Sequence, residues 1–151
     1  MNPTDNSDDD PKPLSRGSDR ALIRGLRLLG GIDLLALIAV VLPWAWMSRI
    51  NDLCGLGPLP DSRIVGYLAR TTSALYALHG ALVLFISCDV TRYRPLITFL
   101  ALAAIIHAAV LLGIDLSVGM PFFWTLLEAP SFTATGLAIL WLARRTVSEK
   151  P

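Results

Sequence analysis

Four apolar runs of about twenty residues each leave this chain of 151 residues little choice of solvent. A helix crossing the roughly 30 Å hydrocarbon layer of a bilayer needs about 20 mostly apolar residues, at about 1.5 Å of rise per residue. The runs at 26–47, 66–87, 95–114 and 121–143 have that length. Together they occupy most of a sequence that is 54% hydrophobic and 17% charged, with a mean hydropathy of +0.57. Such a composition is too apolar for an ordinary soluble domain. The expected fold is all-α: a polytopic membrane protein forming a four-transmembrane-helix bundle over 21–146.

The segment ahead of the first run, 1–20, is rich in Asp, Ser, Asn and Pro and has almost nothing apolar to bury. It reads as a disordered acidic and polar tail, because it cannot offset its own ordering entropy. It is also too long and too acidic for the n-region of a signal peptide, so the first run is expected to remain as an anchor. A short polar tail is expected over 147–151.

Lys and Arg around the runs are distributed one-sidedly. Lys12, Arg16, Arg20, Arg24 and Arg27 precede the first run, Arg92 and Arg94 join the second to the third, and Arg144, Arg145 and Lys150 follow the fourth. The alternate connections hold only Arg49 and Arg63. The positive-inside rule then puts both termini on the cytoplasmic side of an inner, plasma membrane. Net charge is +1, and the cations sit where topology already explains them, so no nucleic-acid partner is expected. The expected partners are membrane lipids, with a homo-oligomer or another membrane protein as the protein partner.

Chemistry-bearing motifs are scarce. The two cysteines, Cys54 and Cys88, fall on opposite sides of the membrane in this topology and cannot bridge within one chain. No C-x-x-C, zinc spacing, nucleotide-binding glycine pattern or G-x-S-x-G occurs, so no metal and no cofactor is assigned. The informative residues are ionisable groups inside the apolar runs. Each costs on the order of 2–4 kcal/mol near a helix centre and should face protein or water. Arg70 and Glu128 are expected about one and two turns below the outer surface, on stripes with Ala74, Ala77 and Ala81 and with Trp124, Ser131 and Thr135 respectively. That matching suggests a buried ion pair. Pro130 is expected to kink the helix beside Glu128.

His107 and Asp115 belong to the same outer half. Arg70, His107, Asp115 and Glu128 are therefore the candidate lining of one outward-opening polar pocket, with Tyr67, Trp44, Trp46 and Trp124 at its rim. His79 falls about half a turn round from Arg70, outside that cluster and pairing through Tyr76. Asp33, placed near the start of the first helix, is favoured there by the helix dipole. Such a set either organises packing, holds a small hydrophobic or lipid-like molecule, or acts on one with His107 or Glu128 as general base.

The segment SCDVTRYRPLITFLALAAIIHAAV, 87–110, contains Asp89, Arg92 and Arg94 in a short basic turn, then Leu96, Ile97 and, within the next helix, His107. There the chain resembles the small BphX-like bacterial membrane proteins. The resemblance implies a four-helix membrane bundle. It covers mainly the middle third of the chain and assigns no role to Glu128. Read from the residues, Asp89 caps the turn or pairs with Arg92, Arg94 meets lipid headgroups, and Pro95 opens the third helix. The membrane reading predicts that the chain stays in the pellet through alkaline extraction and needs detergent to leave it. Material soluble without detergent would refute it.

Overall fold

The structure, a computed structural model, describes residues 14–145, with side chains described from residue 17 onward. Six helical segments follow one another: α1 (Leu14–Leu34), α2 (Leu37–Val41), α3 (Trp44–Leu53), α4 (Arg63–Ile86), α5 (Arg94–Val118) and α6 (Phe122–Arg145). No strand occurs among the described residues. Three helices, α4, α5 and α6, are long and apolar enough to cross a membrane. They match the second, third and fourth apolar runs to within four residues at each end. The chain is therefore a multi-pass membrane protein.

The first run departs from expectation, because 26–47 is not one helix. α1 begins at Leu14, so residues 14–20, assigned to the tail, belong to a helix; the rest of the acidic tail and residues 146–151 lie outside the described residues. Buried Leu22, Leu26 and Gly30 recur every fourth residue, while Arg20, Arg24 and Arg27 stay exposed. This 3.6-residue pattern is hidden in the sequence by its polar half. Beyond Leu34 the bonding tightens to i→i+3, as in Ala36 N–H to Asp33 C=O at 3.1 Å and Ile38 N–H to Leu35 C=O at 3.0 Å. A five-residue α2 follows, and at Pro43 the backbone turns extended before α3 starts. Proline has no N–H to continue the ladder and its ring collides with the preceding turn.

The remaining helices are delimited by ordinary local chemistry. Pro95 stands in the first turn of α5, where a missing N–H costs nothing. Gly119 ends α5 in the left-handed conformation at φ 72°, its N–H and that of Met120 both donating to the Asp115 carbonyl. Pro130 lies inside α6, which continues through it. Hydroxyls bind two consecutive carbonyls just ahead of Pro130, Ser131 Oγ donating to Glu128 at 2.8 Å and Thr133 Oγ1 to Ala129 at 3.0 Å.

The helices pack as two pairs. α1 and α2 lie on α4, α5 lies on α6, and α1 meets α6. Small residues set the crossings. A Cβ on Gly80 would lie 2.6 Å from the Gly30 carbonyl oxygen, and one on Gly136 would lie 2.7 Å from that of Ala101. Backbones this close gain dispersion contact that larger side chains would forbid. The apolar core, Leu22, Leu26, Val83, Ile86, Val90, Ile97 and Ala143, collects where the start of α1, the turn between α4 and α5, and the end of α6 converge. Arg94 and the last turn of α6, with Arg144 and Arg145, are at this end, so it is also the basic end.

Gly80→Leu or Gly136→Leu is expected to lower stability in detergent by about 1–3 kcal/mol, the usual cost of overpacking. Gly113→Ala, where nothing lies within 4 Å, should be neutral or raise the midpoint. Thermal unfolding of the three variants checks this, and an equal response at all three positions would contradict the close crossings.

Candidate functional site

The ionisable groups within the helices define the candidate site, and the structure pairs them differently from the sequence expectation. Asp33 lies in the last turn of α1, not its first. There the exposed carbonyl end of the helix disfavours an anion. His79 on α4 answers this: its Nδ1 is 2.7 Å from Asp33 Oδ2. The contact is possible because His79 precedes Gly80 and Asp33 follows Gly30 by three residues, so the glycine crossing brings both side chains to one place. Asp33 is 16% and His79 43% exposed, a polar pair flanking the α1–α4 interface.

Arg70 does not meet Glu128. Among the described residues the one contact within 4 Å between a basic and an acidic side chain is His79–Asp33. Arg70 instead donates Nε to the Val40 carbonyl at 3.1 Å, Nη2 to the Leu42 carbonyl at 3.3 Å and Nη1 to the Gly66 carbonyl at 3.5 Å. In a continuous helix the carbonyls of Val40 and Leu42 would accept from N–H groups four residues on. The break at Pro43 takes those donors away, and the guanidinium fork replaces them. The expected pairing failed because it assumed an unbroken first helix with no orphan carbonyls.

Glu128 is half-buried and accepts from the indole N–H of Trp124, one turn earlier on α6, at 2.6 Å. Tyr76 on α4, expected as the partner of His79, is half-buried, and the close contact of His79 runs to Asp33 instead. A hairpin of α5 and α6 carries the other two candidates apart. His107 is exposed on α5, its ring edge-on to Phe132 with centroids 5.4 Å apart. Asp115 is 4% exposed, and its Oδ2 has no hydrogen-bond partner among the described residues. Asp115 continues the buried series Ile97, Ala101 and Ala108 on α5, so it stands on the helix-packing seam and not in an open pocket.

An open cleft of about 410 Å³ does exist, at the end opposite the basic core. Trp44, Arg63, Gly66, Tyr67, Arg70 and Thr71 line it with Asp61 and Ser62. Of the four expected lining residues it contains Arg70; His107, Asp115 and Glu128 are elsewhere. Trp44 and Tyr67, expected at the rim, are both in its wall. No group of three His, Cys, Asp or Glu side chains able to hold a metal forms among the described residues.

The basic turn is built by its own residues. Asp89 Oδ1 accepts the Arg92 N–H at 3.0 Å, and the Asp89 carbonyl accepts the Tyr93 N–H at 3.1 Å. Asp89 thus caps the turn, the first of the two expected roles. Arg92 stacks over the Tyr93 ring at 5.6 Å, and Arg94 donates to the Ala143 carbonyl, tying α5 to the end of α6. Both cysteines are free and exposed. Comparison with known proteins finds no matching family model, no similar curated protein and no similar solved structure.

The two pairings predict opposite double-mutant results. Asp33→Ala and His79→Ala are expected to couple by about 0.5–3 kcal/mol in detergent stability. Arg70→Ala and Glu128→Gln share no partner and should add to within about 0.5 kcal/mol. Strong coupling in the second cycle would restore the ion pair inferred from sequence.

Proposed function

We propose that this chain is a non-catalytic component of the bacterial plasma membrane, crossing it four times with both termini in the cytoplasm and working in an oligomer or beside another membrane protein. The first crossing is the broken rod of α1 and α2, with α3 lying near the outer surface. Its apolar stretch is shorter than the other three, and its break is tolerable because Arg70 supplies the missing donors. The basic end faces the cytoplasm by the charge rule. The likeness to the BphX-like proteins fits this arrangement and adds no activity.

One observation carries the packing role. The intramembrane charges Asp33, Arg70 and Glu128 are each bound by groups of the chain itself, and the first two join separate helical segments. A carboxylate and a guanidinium used this way resist removal, because truncating one partner strands the other in a poor solvent.

Reporters fused to the two ends should both report the cytoplasm; opposite faces would overturn the four crossings. For the packing role, the cellular level of Asp33→Asn, His79→Gln and Glu128→Gln variants should fall in step with their Tm in detergent. A variant with wild-type level and Tm that reproduces the phenotype of a deletion would mean that the residue does chemistry.

A further inference from the structure

We propose that the cleft around Arg70 binds the phosphate of an anionic phospholipid in the outer leaflet, with the lipid chain lying along the exposed face of α4. The proposal goes beyond the packing role and takes its leaflet from the orientation proposed above. Arginine has five N–H donors. Arg70 spends three of them on carbonyls, which leaves one on each terminal nitrogen and, among the described residues, leaves the positive charge without a carboxylate within 4 Å. Carbonyl dipoles hold the guanidinium in place without neutralising it.

The remainder of the cleft has the matching chemistry. Arg63, two turns away at the start of α4, is a second cation, against Asp61 as the one acid in the wall. The first N–H groups of α4 point the same way in sign, since Ser62 makes no side-chain cap. Gly66 forms the floor: a Cβ there would lie 3.3 Å from Arg70 Nη1 and 3.6 Å from the Trp44 ring. Guanidinium and phosphate form charge-assisted hydrogen bonds of the stronger kind. Trp44 and Tyr67 supply the amphipathic walls typical of headgroup depth.

A free phosphate would need only the cations, whereas the α4 surface below the cleft is apolar and exposed, as an acyl chain requires. Tyr67, Thr71, Leu75 and Leu78 follow one another at helical spacing on α4, and Leu75 and Leu78 are 61% and 68% exposed. A volume of about 410 Å³ suits a headgroup, with the acyl chains outside it on that apolar lane.

Native mass spectrometry of the full chain in a non-ionic detergent, with phosphatidylglycerol and phosphatidylcholine of identical chains in competition, tests this. The wild type should retain phosphatidylglycerol about tenfold better, which corresponds to about 1.4 kcal/mol. Arg70→Ala also uncaps the broken helix, so the deciding variant is Arg63→Gln/Tyr67→Ala, both exposed positions. It should lose most of the preference at unchanged Tm, while Arg144→Gln/Arg145→Gln keeps it. Equal retention of the two lipids by the wild type overturns the proposal. So does a preference that survives in Arg63→Gln/Tyr67→Ala and disappears in the basic-end variant. Inorganic phosphate competing as well as phosphatidylglycerol would overturn the lipid assignment.

Discussion

Where Pro43 interrupts the backbone, the carbonyls of Val40 and Leu42 lose the donors that a continuous helix would have given them, and the Arg70 guanidinium takes their place. Such a carbonyl left bare away from water costs on the order of several kcal/mol. The end of the molecule around Pro43 depends on this substitution. It joins α2 to α4, holds the start of α3 beside the first turns of α4, and keeps a charged side chain at the edge of the cleft. A lysine could not do the same work, because its point charge lacks the planar fork that reaches separate carbonyls at once.

The half toward the basic end is held by a different principle. Gly30 against Gly80 and Gly136 against Ala101 let backbones approach until nothing larger than hydrogen fits between them. Leu22, Ile86, Ile97 and their neighbours fill the space where all four long helices converge. Packing there is apolar and dense, while polar contacts multiply toward the opposite end. The Asp33–His79 pair stands at the boundary between the two regimes, beside the tightest crossing. The turn at Asp89 closes the basic end, and Arg94 there ties α5 to α6.

The polar residues within the helices therefore fall into distinct kinds of use. Asp33 and His79 join two helices, Arg70 repairs a broken one, and Glu128 is held within its own helix by Trp124. Asp115 sits on the α5–α6 seam, its Oδ2 without a hydrogen-bond partner among the described residues, and His107 lies against Phe132 on an exposed face. Matched depth alone cannot separate these uses. Arg70 and Glu128 looked complementary on an ideal bundle, but a guanidinium binds whatever acceptors lie nearest, and the break at Leu42–Pro43 put carbonyls there first.

Hydrophobic length is a property of consecutive residues, so α4, α5 and α6 were readable within a few residues from the chain alone, as was the gathering of Arg92, Arg94, Arg144 and Arg145 at one end. The capping role of Asp89 was readable too, since its partner is three residues away. The true start of α1 was hidden, because Arg20, Arg24 and Arg27 make its exposed face look like tail. That error moved Asp33 from the end of a helix to its beginning and reversed the sign of the dipole argument. Only tertiary structure brought Asp33 to His79 and Arg70 to Val40 and Leu42, across 46, 30 and 28 residues. Which charge meets which is set by crossings and breaks between distant segments, and local composition carries no record of them.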